Sequence, residues 1–472
     1  MHRALLVFAL FGIAALLRFH NAWVAPPLSG FDGPYHGGYI GAIVWEGRFQ
    51  PPHAFTNHPP LYYAVSAALW KLLPDALSAH SVLFALRAIN VVCGLTAAGA
   101  VALSTRWLLP TRPDAPLYAL AIALFLPMHI GPSALLGNQM MEVALGASAA
   151  ALLLRTLQDP RPRNAALAGV VAGLGMLAKL SVGIVVAAGG LALLVRGGQQ
   201  HGIHARALSL AATFGIAATV FASPYFVYDL ASRGTPVDPA VDLWAELDRS
   251  HQLPPRPWTD YADPDIARWI DPGQLGNGGQ QAVWPVTFAS TWFDLFGTVL
   301  DVHHPRARSG ARTLFVLGGL ISLAAALGAA NAARGTQARS IPLGAVLLGL
   351  LIALNIASYV AFTRAVPTYG ALKGTYLSPA LTAFVFFAAA GLDGLVQKRT
   401  WLRAPVGGVL AALVIATSTV FWQGGLAPMR VNPADLVLRD YSDPPTLRAF
   451  RYFVGRDPGT GRPPLLTEPA RE

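Results

Sequence analysis

Runs of about 20 almost wholly apolar residues recur along this chain, and that recurrence limits what it can fold into more than any single motif does. They lie near 3–22, 82–104, 115–132, 138–157, 164–179, 180–195, 207–228, 311–331, 341–362, 376–396 and 404–422. A helix needs about 20 such residues to cross a bilayer, where every backbone polar group must be satisfied within the segment. The expected fold is therefore an all-α polytopic membrane protein with about eleven transmembrane helices. Two of the runs, 164–179 and 180–195, are short and abut at Lys179–Ser181, as weakly tilted or broken helices would. Composition agrees: 54% of the 472 residues are hydrophobic and 12% charged, about half the charge of an average soluble domain. The run behind Arg3 lacks a small-x-small site, so it reads as the first span rather than a cleaved leader.

The formal charge of +10 does not point to nucleic acid, because the basic residues form no single patch. They cluster between alternate spans. If the N-terminus lies inside, one face holds Arg3, Arg106, Arg112, Arg155, Arg161, Arg163, Arg196, Arg206, Arg334, Arg339, Lys398, Arg399 and Arg403. The short connections on the other face hold Lys179, Arg364 and Lys373. That bias is the positive-inside rule. It requires that the helix expected at 59–73 stay outside the membrane. The transmembrane domain then covers 1–422, with outer segments at 23–81 and 229–310 and an outer tail at 423–472. The single cysteine, Cys93, allows neither an intrachain disulfide nor a cysteine metal cluster. No internal repeat stands out, which weighs against inverted-repeat transporters.

The first outer loop carries the groups that can do chemistry. Asp32 follows the first span by about ten residues, within Gly30-Phe31-Asp32-Gly33-Pro34-Tyr35-His36. Residues 35–47 suit a short amphipathic helix on the bilayer surface, and Pro59-Pro60 suits the start of a second helix. Together they form a pocket lined by Asp32, His36 and His58. A carboxylate there can take a proton from an acceptor hydroxyl. Cations beside it can hold a departing phosphate. The plainer alternatives are an N-cap role for Asp32, structural histidines, a snorkelling Lys179 and a headgroup-anchoring Arg87. Thr291-Trp292-Phe293-Asp294 suits either a cap on the cavity or the aromatic belt.

Several strings, in order, resemble the GT-C superfamily of integral-membrane glycosyltransferases, which includes the protein O-mannosyltransferases and the lipid A aminoarabinose transferases. The Asp32 loop with Tyr35-His36 comes first. His58-Pro59-Pro60-Leu61-Tyr62-Tyr63 and Arg87 follow, then Gly137-Asn138-Gln139-Met140-Met141-Glu142. Gly173-Leu174-Gly175-Met176-Leu177-Ala178-Lys179 resembles that group's Gly-Leu-x-x-Leu-x-Lys helix end. Lys373-Gly374-Thr375-Tyr376-Leu377-Ser378-Pro379-Ala380-Leu381 resembles its Arg-Tyr-x-x-Pro-x-x-Pro entry to a span.

The resemblance implies an inverting transferase that takes a sugar from a polyprenyl-phosphate donor to a lipid, glycan or protein acceptor. The active site is expected on the outer side of a cytoplasmic membrane, and composition with the absence of eukaryotic sorting signals suggests a bacterial one. Asp32 would be the general base, and Lys179, Arg364 and Lys373 would hold the lipid phosphate. Tyr35, His36, His58, Tyr62, Asn138, Glu142 and Tyr376 would bind substrate. Many of the resembling proteins have Asp-Glu where this chain has Asp32-Gly33, and an acid where it has Gln139. Fewer carboxylates suit a divalent metal less well, so no cofactor is expected, although a divalent metal stays conceivable. A flippase for lipid-linked saccharides would need polar residues along a path through the bilayer, and the spans are nearly free of acids. A non-catalytic lipid-sugar-binding relative is the third reading.

Overall fold

The computed structural model describes residues 2–30, 32–49, 58–198, 205–233, 254–263, 269, 282–296, 300, 304–335, 343–423 and 444–454. Helices account for all the regular structure among them apart from one isolated bridge residue. In chain order they are α1 His2–Val24, α2 Gly33–Glu46, α3 Leu61–Leu72, α4 Ala79–Leu108, α5 Ala115–Phe125, α6 Pro127–Ser133, α7 Gln139–Gln158 and α8 Pro162–Ala178. After these come α9 Gly183–Gly198, α10 Ala205–Arg233, α11 Val283–Trp292, α12 Pro305–Gly335, α13 Leu343–Ala365, α14 Leu381–Lys398, α15 Arg403–Gln423 and α16 Pro444–Val454. Each of the eleven apolar stretches is helical. Among the described residues, eight helices are long and apolar enough to cross a membrane by themselves, or nine if the bent pair α5–α6 is one span. The shortfall from eleven falls on α8 and α9, only 17 and 16 residues long and broken at Lys179. The chain is a multi-pass membrane protein.

Helix α3, 12 residues long, cannot reach across a bilayer, so the alternation of charge survives. Residues assigned to one face from charge alone meet at one end of the bundle: Arg3 pairs with Asp114 at 2.8 Å, Arg112 with Asp393 at 2.9 Å, and Arg403 with Asp114 at 4.0 Å. Helix α2 departs from expectation. Its residues 33–42 are all buried, so it is enclosed by protein rather than lying on lipid. Three elements cover it: the 25–30 turn, α3 and α16.

Small residues set the helix spacing. Among helices solvated by lipid, close approach gives the packing that water would otherwise drive. Helices α12 and α14 cross glycine on glycine: a methyl group on Gly328 would lie 2.0 Å from the Phe387 carbonyl oxygen, and one on Gly391 2.0 Å from that of Ala324. Helices α8 and α10 also approach closely, with Gly169 and Gly173 of α8 facing the carbonyl oxygens of Phe214 and Ala218. Outward-facing Phe8, Leu16, Ile216, Leu323 and Ile415 are exposed, as lipid-facing side chains are.

Two buried arginines hold breaks in the helices. The pair α5–α6 bends by 51° at Leu126–Pro127, where proline removes a backbone donor. Arg18 donates to the Leu124 carbonyl at 2.7 Å and Thr417 to that of Phe125 at 3.1 Å. Arg87 is buried rather than reaching for headgroups. It donates to the carbonyls of Ala22, Ala25 and Pro26 at 3.1, 2.8 and 2.5 Å, tying down the end of α1 and the turn that leads to Asp32.

The glycine crossings give a stability prediction. Gly391→Ala should cost about 1–3 kcal/mol through overpacking and lower the thermal unfolding midpoint in detergent. Gly349→Ala, with nothing within 4 Å of the added methyl, should not lower it. Equal midpoints for both variants would contradict the crossing.

Candidate active site

The breaks in the helices converge at the end of the bundle opposite the Arg3–Asp114 pairs. They enclose a cleft of about 190 Å³ that opens to solvent. Its wall comes from five places: the turn before α2, the stretch from α6 to the start of α7, the junction of α8 and α9, the end of α11, and the 3-10 turn Gly374–Ala380.

Asp32 stands at the N-cap position of α2, yet its side chain makes no capping hydrogen bond. Its carbonyl accepts from the His36 amide at 2.9 Å, and the residue lines the cleft. The capping role is thus not the one the carboxylate performs. The turn before it is tight: Leu28 has φ of 55°, and a side chain on Gly33 would begin 2.0 Å from the Leu28 carbonyl oxygen. This backbone leaves no room for a glutamate beside Asp32, which accounts for the Asp-Gly pair.

His36 and His58 both line the cleft, their rings stacked 5.6 Å apart. His36 Nδ1 lies 2.7 Å from the Tyr63 hydroxyl. Burial pushes the His36 imidazole down to about 4, with Asp32 opposing the shift and Lys179 and Lys373 adding to it. Burial also lowers His58, assisted by His36 and Lys179. Both rings are therefore neutral near pH 7, suited to hydrogen-bonding hydroxyls rather than to holding an anion by charge. Gly137 allows the close approach of His36, since a Cβ there would sit 3.2 Å from Nε2.

Cations lie across the cleft. Lys179, at the break after α8, donates to Gln139 Oε1 at 2.6 Å and pairs with Glu142 at 3.3 Å. Its Nζ lies 5.5 Å from the centre of the Tyr376 ring, and that of Lys373 lies 6.0 Å from it. Gln139 donates to Glu142, to the Thr375 carbonyl and to Ser378 at 2.8, 3.2 and 3.1 Å. It thereby links α7 to the 374–380 turn. Gly374 lets that turn press on α11, where its amide donates to Ser290 Oγ at 2.7 Å.

Asp32, His36, His58, Asn138, Lys179, Lys373 and Tyr376 thus share one cleft. Tyr35, Tyr62, Glu142 and Arg364 do not line it. Tyr35 is buried in the core around α2. Tyr62 lies beneath the wall, its hydroxyl accepting from the Gly137 amide at 3.1 Å. Glu142 is buried, held by Lys179 and by Ser181 at 2.6 Å. Arg364 donates to the Arg256 carbonyl at 3.2 Å and stacks on Trp258 at 4.5 Å. It ties the Pro-rich segment 254–263 to the end of α13, because a guanidinium is held more readily by carbonyls and an indole face than by open lipid surface.

The sequence reading left two residues of the wall without a role, although Asp294 stood in the string it offered as a cap on the cavity. Asp294 supplies a second carboxylate to it, one oxygen accepting from the Leu300 amide at 2.8 Å. Its position after an aromatic string is the one signal for it. Gln139 was visible only as the absence of an acid. Among the described residues, no three of His, Cys, Asp or Glu are grouped to hold a metal ion. Beside the cleft, sharing Met128, lies an apolar cavity of about 290 Å³ walled by residues such as Trp284, Phe288, Trp292, Leu377 and Phe384.

Similarity to known proteins follows the same geometry. Residues 57–227 match the family described as dolichyl-phosphate-mannose-protein mannosyltransferase. Among solved structures, the oligosaccharyltransferase of Archaeoglobus fulgidus in complex with zinc and sulfate matches 98% of this chain and 59% of its own, at 16% identity and a TM-score of 0.54. The chain has the GT-C fold. A second GT-C structure, the Archaeoglobus fulgidus oligosaccharyltransferase AglB with an inhibitory peptide and a dolichol-phosphate, matches 98% of this chain and 61% of its own, at 16% identity and a TM-score of 0.54. ArnT from Cupriavidus metallidurans, bound to undecaprenyl phosphate, matches 95% and 69%, at 16% identity and 0.52. The chain spans about three fifths of the length of the oligosaccharyltransferases it matches. No curated protein matches the sequence.

Proposed function

We propose that this chain is an inverting glycosyltransferase. It takes a sugar from a polyprenyl-phosphate donor and delivers it to a lipid, glycan or protein acceptor at the outer face of a bacterial cytoplasmic membrane. The observation that carries the reading is the convergence of Asp32, Lys179 and Lys373 on one cleft at the end of the bundle. The family match at 57–227 and the lipid phosphates bound by two of the structural neighbours support the donor class.

Each group then has a role. Asp32 accepts the proton of the acceptor hydroxyl as its oxygen attacks the anomeric carbon. The bond from that carbon to the phosphate oxygen breaks on the opposite face of the sugar, so configuration inverts. Polyprenyl phosphate departs, and Lys179 and Lys373 stabilise the charge it gains. Neutral His36 and His58 hydrogen-bond sugar or acceptor hydroxyls. Tyr376 offers its ring to both lysines and to the sugar. The apolar cavity beside the cleft accommodates the donor's hydrocarbon chain, whose burial is favourable in proportion to its area.

Asp32→Asn keeps the shape of the side chain and removes the base. Turnover of labelled donor by purified protein should fall about 100-fold or more, with membrane insertion unchanged. A wild-type rate would defeat the assignment. Among the described residues, the wall's two aspartates and two histidines are not grouped as metal ligands, and transfer is proposed to need no resident metal. Dialysis against a chelator should leave the rate unchanged; loss that Mg²⁺ or Mn²⁺ restores would contradict this.

A further inference from the structure

The helix that carries the cleft's first acid has a second contact face, and one short helix covers it. Helix α2 presents Asp32 and His36 to the cleft. Gly37 and Gly41, four residues apart and so on one face, look elsewhere. A Cβ on Gly37 would lie 3.6 Å from that of Ala449 on α16, and Gly41 lies beneath the folded-back ring of Trp45. Ala449 and Phe453, again four residues apart, are the buried face of α16. Tyr452 and Phe453 both pack on Trp70 of α3, with ring centres 5.1 and 5.2 Å away. Arg448 caps the arrangement, its guanidinium 4.6 Å from the centre of the Trp45 ring. Read from sequence, 423–472 is a tail without a motif, yet this part of it grips both outer-loop helices.

We propose that α16 is a positioning strap. By seating Ala449 on Gly37 and packing Tyr452 and Phe453 on Trp70, it fixes α2 at the depth where Asp32 meets the cleft. The idea rests on the transferase reading above. Its physical basis is that α2 has no cap at its N-terminus and follows a turn, so its position depends on side-chain contacts. A displacement of about 1 Å at a reacting group can cost about 100-fold in rate.

The test uses the full chain. Gly37→Cys with Ala449→Cys should form a disulfide on oxidation, because the Cβ separation of 3.6 Å falls within the span such a bond requires; the native Cys93 is the only other thiol. Phe453→Ala should lower kcat about tenfold or more while leaving the donor KM within about twofold, the pattern of a misplaced catalytic group. The disulfide should restore kcat in the Phe453→Ala background. Wild-type kcat in Phe453→Ala, failure of the disulfide to form, or failure of the formed disulfide to restore kcat would each overturn the proposal. If Phe453→Ala does not reach the membrane, Arg448→Ala at the exposed edge replaces it. Its kcat should fall less and recover with the same disulfide, and an unchanged kcat would overturn the proposal. Asp32→Asn, assayed alongside, separates the two ideas: its full activity would sink the transferase reading rather than the strap.

Discussion

A bilayer tolerates irregular backbone only where protein buries it or where it lines a cavity, and the architecture of this chain follows from that constraint. The breaks at 25–32, 126–127, 179–182 and 366–380 interrupt otherwise helical stretches. Such breaks leave carbonyls and amides without their helical partners. Arg87 answers the first and Arg18 the second, while Gln139 and Ser290 bind the last. The breaks at 25–32, 179–182 and 366–380, with the turn that follows α6, then supply the wall of a single cleft. Backbone satisfaction falls to Arg87, Arg18, Gln139 and Ser290, while Asp32, Lys179 and Lys373 line the cleft that the breaks enclose.

That arrangement also explains which polar groups line the cleft and which only hold others in place. Lys179 is committed on one side to Glu142 and Gln139 and still lines the cleft. Removing Glu142 would leave a partly buried ammonium short of its counter-charge, which is costly at low dielectric. Glu142 therefore acts through the lysine. Gly33 shows the converse, a place where backbone proximity forbids a side chain. The second carboxylate of the wall comes instead from Asp294, more than 250 residues away in the chain.

Much of this was legible in the sequence because the bilayer writes strong, local signals. Apolar length gave the helices, and the basic bias gave the faces that Arg112–Asp393 and Arg3–Asp114 now share. Asp32, His36, His58, Lys179 and Lys373 could be gathered because each stands at a helix break or in an outer loop. Arg364 could not be placed, because a positively charged residue at a span end looks the same whether it meets lipid phosphate or, as here, a carbonyl and an indole. The enclosure of α2 was also hidden, since it depends on α16, more than 400 residues later. Asp294 lay in an aromatic string that fits a membrane belt equally well. The misses are long-range contacts, which periodicity and composition do not encode.

The central proposal is that the cleft holds a lipid phosphate through its cations. Native mass spectrometry of the purified protein with a polyprenyl phosphate measures this directly, in wild type, Lys373→Gln and Arg364→Gln. The account predicts a bound lipid in wild type and Arg364→Gln and its loss in Lys373→Gln. Equal binding by all three, or binding lost only in Arg364→Gln, would contradict it.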